Sequence, residues 1–171
     1  ARGAYPAGSR RAAHERGRLL LKLADRIEAD ADYLARLEAM NTGHPVRDCQ
    51  NLDVPRTVLC FRYFGGMADK FEGFVPPVYP GFINYVQREP VGVVGQIVPW
   101  NFPLMFTSWK MAPALAAGNA IVIKPSELTP LSTLRVAELM REVGFPAGVV
   151  NVVPGYGQTA GARIAEHPEI G

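Results

Sequence analysis

Two short, apolar, β-branched runs at residues 91–98 and 120–123 flank a longer stretch that opens on Pro103 and closes on Gly118-Asn119. No other feature limits the fold so strongly. Near-continuous Val/Ile runs of this length read as strands buried on both faces. Pro103 suits the first turn of a helix, where its missing N–H costs nothing, and Gly118-Asn119 supplies a stop. Pro113, inside that helix, is expected to kink it. Strand, helix and strand in this order demand a parallel pair joined by a right-handed crossover. The pattern then repeats. A helix with Thr129 as N-cap and Pro130 at its first position is predicted to end at Gly144. A third strand follows at 149–153 and a last helix at about 159–167, so residues 91–171 read as one side of a parallel, Rossmann-like α/β sheet.

The residues before this unit are helical in pattern. Leu20, Leu23, Ile27, Leu34 and Leu37 recur at helical spacing between about 12 and 40, and Asn41-Thr42-Gly43-His44-Pro45 ends the run. A second helix is predicted from about 53 to 71, with Val54, Val58, Phe61 and Ala68 on one face. Between 73 and 81 stand Pro76, Pro77 and Pro80, so an extended connection is expected there. Residues 82–88 mix aromatic, β-branched and polar types like an exposed strand. The division that results is 1–71 helical, 72–90 an extended arm, and 91–171 the sheet.

Composition excludes several classes. Of the 171 residues, 48% are hydrophobic and 20% charged, the balance of a globular chain. A net charge of +2 without a basic run gives no footing for nucleic acid. The apolar runs fall well short of the roughly 20 residues of a membrane span. Cys49 and Cys60 have no metal-type spacing and no secretory segment precedes them, so a reduced, cytoplasmic setting is expected. His14, His44 and His167 are scattered, and no metal site is predicted. Cys60 reads as a small core residue, and Cys49, beside Asp48, as a poor nucleophile. The chain starts on alanine and stops on HPEIG, as a fragment would.

Two polar groups stand where open α/β sheets bind ligands, outside the carboxyl ends of the strands. The first strand runs into Pro99-Trp100-Asn101-Phe102-Pro103. The two prolines stiffen the turn around Asn101, because each fixes its own φ and restricts the residue before it. A stiff turn can hold a neutral donor where negative charge develops. Asparagine is equally a preferred helix cap, and spacing alone does not separate the two roles. The second strand runs into Lys124-Pro125-Ser126-Glu127. Lys124 is one of four lysines against fourteen arginines. It either snorkels to solvent or pairs with Glu127 to face the two hydroxyls of a ribose. Gly155-x-Gly157-x-x-x-Gly161 is not the dinucleotide fingerprint and is weak alone. Phe102, Met105, Phe106 and Trp109 form an aromatic stripe at helical spacing, which is more often core than pocket.

PWNFP, the following TSWKMAPALAAGN and the VIKPSE stretch resemble the NAD(P)-dependent aldehyde dehydrogenases, and the similarity runs from about residue 12 to 161. The resemblance implies NAD-dependent oxidation of an aldehyde to a carboxylic acid, with Asn101 donating its amide to the oxygen of a thiohemiacetal. Removing one donor of that kind lowers turnover roughly 10²–10³-fold. It implies cofactor contacts at Val98, Pro99 and Trp100. Further contacts are implied at Lys124, Pro125, Ser126 and Glu127, with Gly157 and Gly161 leaving room for the adenine. A carboxylate on the ribose favours NAD, although some members also use NADP. Phe102, Met105, Phe106 and Trp109 would line a substrate tunnel. Arg56 occupies a position often apolar in relatives; if it points inward a polar or acidic aldehyde is implied, and if it points out nothing about the substrate follows. The arm at 72–89 would pair with a neighbouring subunit in a homo-oligomer, a dimer or tetramer.

The family's nucleophilic cysteine, general-base glutamate and pyrophosphate turn would lie beyond Gly171. The 171 residues alone are therefore expected to be inactive and to bind NAD weakly. A non-catalytic truncated homologue that binds nucleotide or a partner remains an alternative, as does a CoA-acylating member of the family.

Overall fold

The computed structural model describes residues 1–5, 9 and 11–171. Helix α1 (Ala13–Ala29) buries Gly17, Leu20, Leu23, Ala24 and Ile27, one stripe at helical spacing. The chain expected to continue unbroken to about 40 instead turns at Asp30 (φ −100°, ψ 12°) and resumes as α2 (Ala31–Thr42). At the break the Asp30 carboxylate is held from two sides. Arg135 holds it at 2.9 Å and Arg26 at 3.4 Å. Gly43, with φ 84°, closes α2 as the Asn-Thr-Gly pattern requires.

The next helix starts where predicted and stops at Met67, short of the expected 71. A turn at Val46–Asp48 and a π-turn at Cys49–Asp53 lead into α3 (Val54–Met67). Pro55 lacks the N–H that would continue α-type bonding, which accounts for the looser winding just before it. Val54, Val58, Phe61 and Ala68 are buried as expected. Helices α1 and α3 approach through a glycine pair: a Cβ on Gly17 would stand 2.4 Å from the Gly65 carbonyl oxygen.

Residues 72–90 carry the extended arm, but 82–88 is no strand. One isolated antiparallel bridge, Phe74 with Val86, joins its two legs. Pro76, Pro77 and Pro80 supply no N–H donors, so pairing does not spread from that bridge. Ile83 is 89% exposed, and Phe82 and Tyr85 also face outward.

The sheet follows the sequence reading with shorter strands. Strands β1 (Val93–Ile97), β2 (Ala120–Lys124) and β3 (Val150–Val152) are parallel in the order β1-β2-β3. Gln96, the polar break in β1, donates Nε2 to the Lys110 carbonyl at 2.8 Å. Asn119 accepts the Gly92 N–H at 3.0 Å, tying the start of β1 to the approach to β2. Helix α4 (Pro103–Ala116) begins at the predicted proline and continues unbroken past Pro113. Helix α5 (Leu131–Val143) ends at Gly144 as predicted, but Thr129 does not cap it. Pro130 occupies the cap position, and Asn41 Oδ1 from α2 accepts the Leu131 N–H at 3.4 Å. A π-turn at Gly157–Gly161 precedes the short α6 (Ala162–Glu166). Ile121, Ile123 and Val98 join α1 to α5 in one core, so residues 13–67 and the sheet share a single apolar interior.

Candidate active site at the carboxyl ends of two strands

The register pairs Ile97 with Lys124, and the Val98 N–H continues the ladder to the Lys124 carbonyl at 3.1 Å. Both polar motifs therefore leave the sheet side by side. Val98 is buried, whereas Pro99 and Trp100 are exposed. The turn is tied to the next loop where Thr129 Oγ1 donates to the Trp100 carbonyl at 3.2 Å. That bond is what Thr129 does instead of capping.

Asn101 is half-buried. The cap position of α4 belongs to Phe102 (φ −145°, ψ 61°), without a side-chain cap bond. Among the described residues the Asn101 carboxamide has no hydrogen-bond partner, so it is left to meet something outside the chain. The helix start is secured by another route. Glu38 Oε1, from α2, accepts the Leu104 N–H at 3.0 Å. Beside it the Phe102 ring packs on His44 with centroids 5.1 Å apart, and His44 Nδ1 meets Asp53 Oδ2 at 3.1 Å.

Lys124 is 2% exposed, which rules out snorkelling. Its Nζ donates to the carbonyls of Pro125 at 2.7 Å and Gly155 at 2.9 Å, and to Glu127 Oε2 at 3.2 Å. All three ammonium hydrogens are thus committed, and the longest bond points to an exposed carboxylate. The Glu127 carboxyl lies below its usual range because its own backbone N–H and then Lys124 hydrogen-bond to the ionised form. Pro125 and Ser126 are buried beneath this pair, and Ser126 Oγ accepts the Leu128 N–H at 3.3 Å. Gly161 lies on the Lys124 stem, where a Cβ would meet Cδ at 3.6 Å. Gly157 is exposed, and nothing lies within 4 Å of the position its Cβ would take.

The aromatic stripe on α4 divides. Met105 is buried, Phe102 goes to His44, and Phe106 stacks edge-on against Trp109 at 5.3 Å. Only Trp109 of the four reaches an open groove of about 590 Å³, whose other walls are Arg56, Leu59, Cys60, Tyr63 and Phe64 from α3. Sequence reasoning missed that α3 wall. Leu59 and Tyr63 recur four residues apart on the face away from Val58 and Phe61, a second apolar stripe that could have marked it. Cys60 is half-buried, packed against the core as expected and open on its other side to the groove, and burial raises its thiol pKa. Arg56 is exposed at the rim, and among the described residues it has no carboxylate partner.

The fold also gathers groups that spacing kept apart. His44, Cys49 and Asp53 bring their donor atoms within 4.8 Å of one another. The Cys49 thiol is pushed up to about 12, first by burial and then by Asp53, so it is inert as a nucleophile.

The model of the aldehyde dehydrogenase family matches residues 1–171. The chain belongs to the aldehyde dehydrogenase family. It is 51% identical to the mitochondrial aldehyde dehydrogenase of Sus scrofa over 99% of its length, covering 33% of that protein. Among solved structures, PnpE in complex with nicotinamide adenine dinucleotide is 74% identical, with a TM-score of 0.98 over 100% of this chain and 35% of the other. An NAD+ complex of the aldehyde dehydrogenase from Bacillus cereus is 49% identical, with a TM-score of 0.96 over 99% of this chain and 35% of that one. The chain thus spans about a third of the length of the aldehyde dehydrogenases it matches. No helix among the described residues is long and apolar enough to cross a membrane.

Proposed function

We propose that a full-length protein carrying this chain oxidises an aldehyde to a carboxylic acid with NAD, and that these residues supply the oxyanion donor and the adenosine half of the cofactor site. The observation that carries the proposal is the uncommitted carboxamide of Asn101, held on a stiff turn one strand away from the Lys124–Glu127 pair. A neutral donor placed before charge develops needs no reorganisation as the carbonyl oxygen becomes anionic. NAD, when bound, supplies the hydride acceptor. The residues present fit its adenosine end: Glu127 offers an ionised acceptor to a ribose hydroxyl, Lys124 fixes that carboxylate, and Gly157 adds no side chain to the following loop. The same carboxylate repels a 2′-phosphate, which favours NAD over NADP. Two NAD-bound relatives in the same family support the choice.

Trp109 and the α3 wall form the approach for the aldehyde, with Phe106 bracing Trp109. Arg56 at the rim favours an aldehyde bearing an anionic or strongly polar group. The exposed arm at 72–90, with Phe82, Ile83 and Tyr85 uncovered, favours assembly with a second copy. Residues 1–71 and 91–171 then act as one nucleotide-binding unit, with the arm between them. The proposed setting is the cytoplasm, a reducing compartment in which Cys49 and Cys60 would stay free.

The test is product analysis of the full-length protein with NAD and a panel of aldehydes. Carboxylic acid and NADH formed without CoA support the reading. A thioester formed only with CoA would replace it with the acylating chemistry, and no turnover would favour a nucleotide-binding protein without catalysis.

A further inference from the structure

We infer that Glu38 is a positioning residue for the turn that carries Asn101, an inference that rests on the proposed role of Asn101. Helix α4 starts two residues after Asn101 with no side-chain cap of its own. The first N–H groups of a helix need acceptors from elsewhere. Pro103 has none to satisfy, and the next, on Leu104, goes to Glu38 Oε1 at 3.0 Å. Three residues along α2, Asn41 does the same for Leu131 at the start of α5. One helix therefore fixes the origins of the two helices that follow the two ligand-facing strand ends. His44, just beyond α2, adds the ring contact with Phe102.

The cost of the arrangement argues that its geometry matters. Glu38 is completely buried, and its Oε2 has no partner among the described residues. A buried carboxyl oxygen without a partner is expensive, and a serine or asparagine at the helix's own cap position would secure it more cheaply. Burial accordingly raises the Glu38 pKa, while the neighbouring Ser132 hydroxyl and the Leu104 N–H oppose the rise. An acceptor reaching in from α2 does what a local cap cannot: it fixes the Asn101 turn relative to the core rather than to its own helix. A donor displaced by about 1 Å can lose roughly 100-fold in rate.

The experiment compares Glu38→Leu, Glu38→Asp and Glu38→Gln with Asn101→Ala in the full-length protein, reading kcat, the aldehyde KM and the NAD dissociation constant. Leu removes the acceptor, Asp withdraws it by one methylene, and Gln keeps an acceptor at the same reach. Expected are a kcat lowered at least tenfold in Leu and Asp, NAD binding within threefold of wild type, and kcat within threefold in Gln. Should Leu fail to fold, Asp carries the comparison. A folded Leu or Asp variant with wild-type kcat, while Asn101→Ala is slow, overturns the inference and leaves the role of Asn101 standing. A Gln variant as slow as Leu also overturns it, since the retained acceptor would then not be what matters. Normal turnover in Asn101→Ala overturns the inference together with the reading on which it rests.

Discussion

Glu38 and Leu104 lie 66 residues apart in sequence and are joined by a single buried hydrogen bond, from the Leu104 N–H to Glu38 Oε1 at 3.0 Å. The bond couples the first helical layer to the turn at the sheet's carboxyl edge. It also carries a linkage consequence. Burial raises the folded-state pKa of Glu38, and Asp53 pushes in the same direction while His44 opposes it. A carboxyl that holds its proton more tightly when folded contributes stability that is present below the unfolded pKa. That contribution is lost as pH rises through the folded value. Glu38→Gln, permanently neutral, is expected to gain stability relative to wild type as pH rises from 4 to 8 in urea titrations. Parallel pH profiles for the two proteins would show that Glu38 titrates normally.

The glycine pair between α1 and α3 gives a prediction about packing alone. A Cβ on Gly17 would meet the Gly65 carbonyl oxygen at 2.4 Å, a backbone atom that cannot rotate aside. Gly17→Ala is expected to cost about 1–3 kcal/mol, the usual range for overpacking. Chemical denaturation would measure it. A variant as stable as wild type would mean that the two helices slide apart freely.

Sequence legibility followed the range of the forces involved. The strand ends and the proline start of α4 were readable because β-branched runs, Pro103 and Gly118 act locally. The break at Asp30 was not, since no local stop signal marks it and the Arg135 that holds its carboxylate lies 105 residues away. Thr129 misled for the same reason: its hydroxyl serves the Trp100 carbonyl, and the cap of α5 comes from Asn41 on a distant helix. The strand expected at 82–88 failed for want of a partner, since exposed β-branched residues do not pair by themselves. At the candidate site, Lys124 and Glu127 were visible as a motif. Glu38 was not, for although it stands four residues after Leu34 on the buried face, its partner Leu104 lies 66 residues away.

Arg56 tests the substrate class. Its guanidinium stands exposed at the rim of the groove shared with Trp109 and Tyr63. Arg56→Leu is expected to raise KM roughly tenfold for an aldehyde carrying a carboxylate, the scale of one charge-assisted hydrogen bond, and to leave a neutral aldehyde of the same length unaffected. Steady-state kinetics on such a matched pair decides it. Equal effects on both substrates would mean that Arg56 does not read charge.

Glu127 tests the cofactor reading. Glu127→Gln keeps the shape but removes the negative charge held by Lys124. NAD binding is expected to weaken roughly tenfold, the scale of one charge-assisted hydrogen bond, while NADP loses less. Calorimetric titration of both cofactors gives the ratio. An unchanged preference for NAD would move the origin of that preference away from this carboxylate.

Asn101→Ala in the full-length protein measures most directly whether this turn carries the chemistry. The carboxamide makes no hydrogen bond to the described residues, so its removal should leave the fold and NAD binding intact. Turnover is expected to fall roughly 10²–10³-fold, the loss typical of one oxyanion donor. A folded, NAD-binding variant that keeps turnover within a few-fold of wild type would contradict the proposed site.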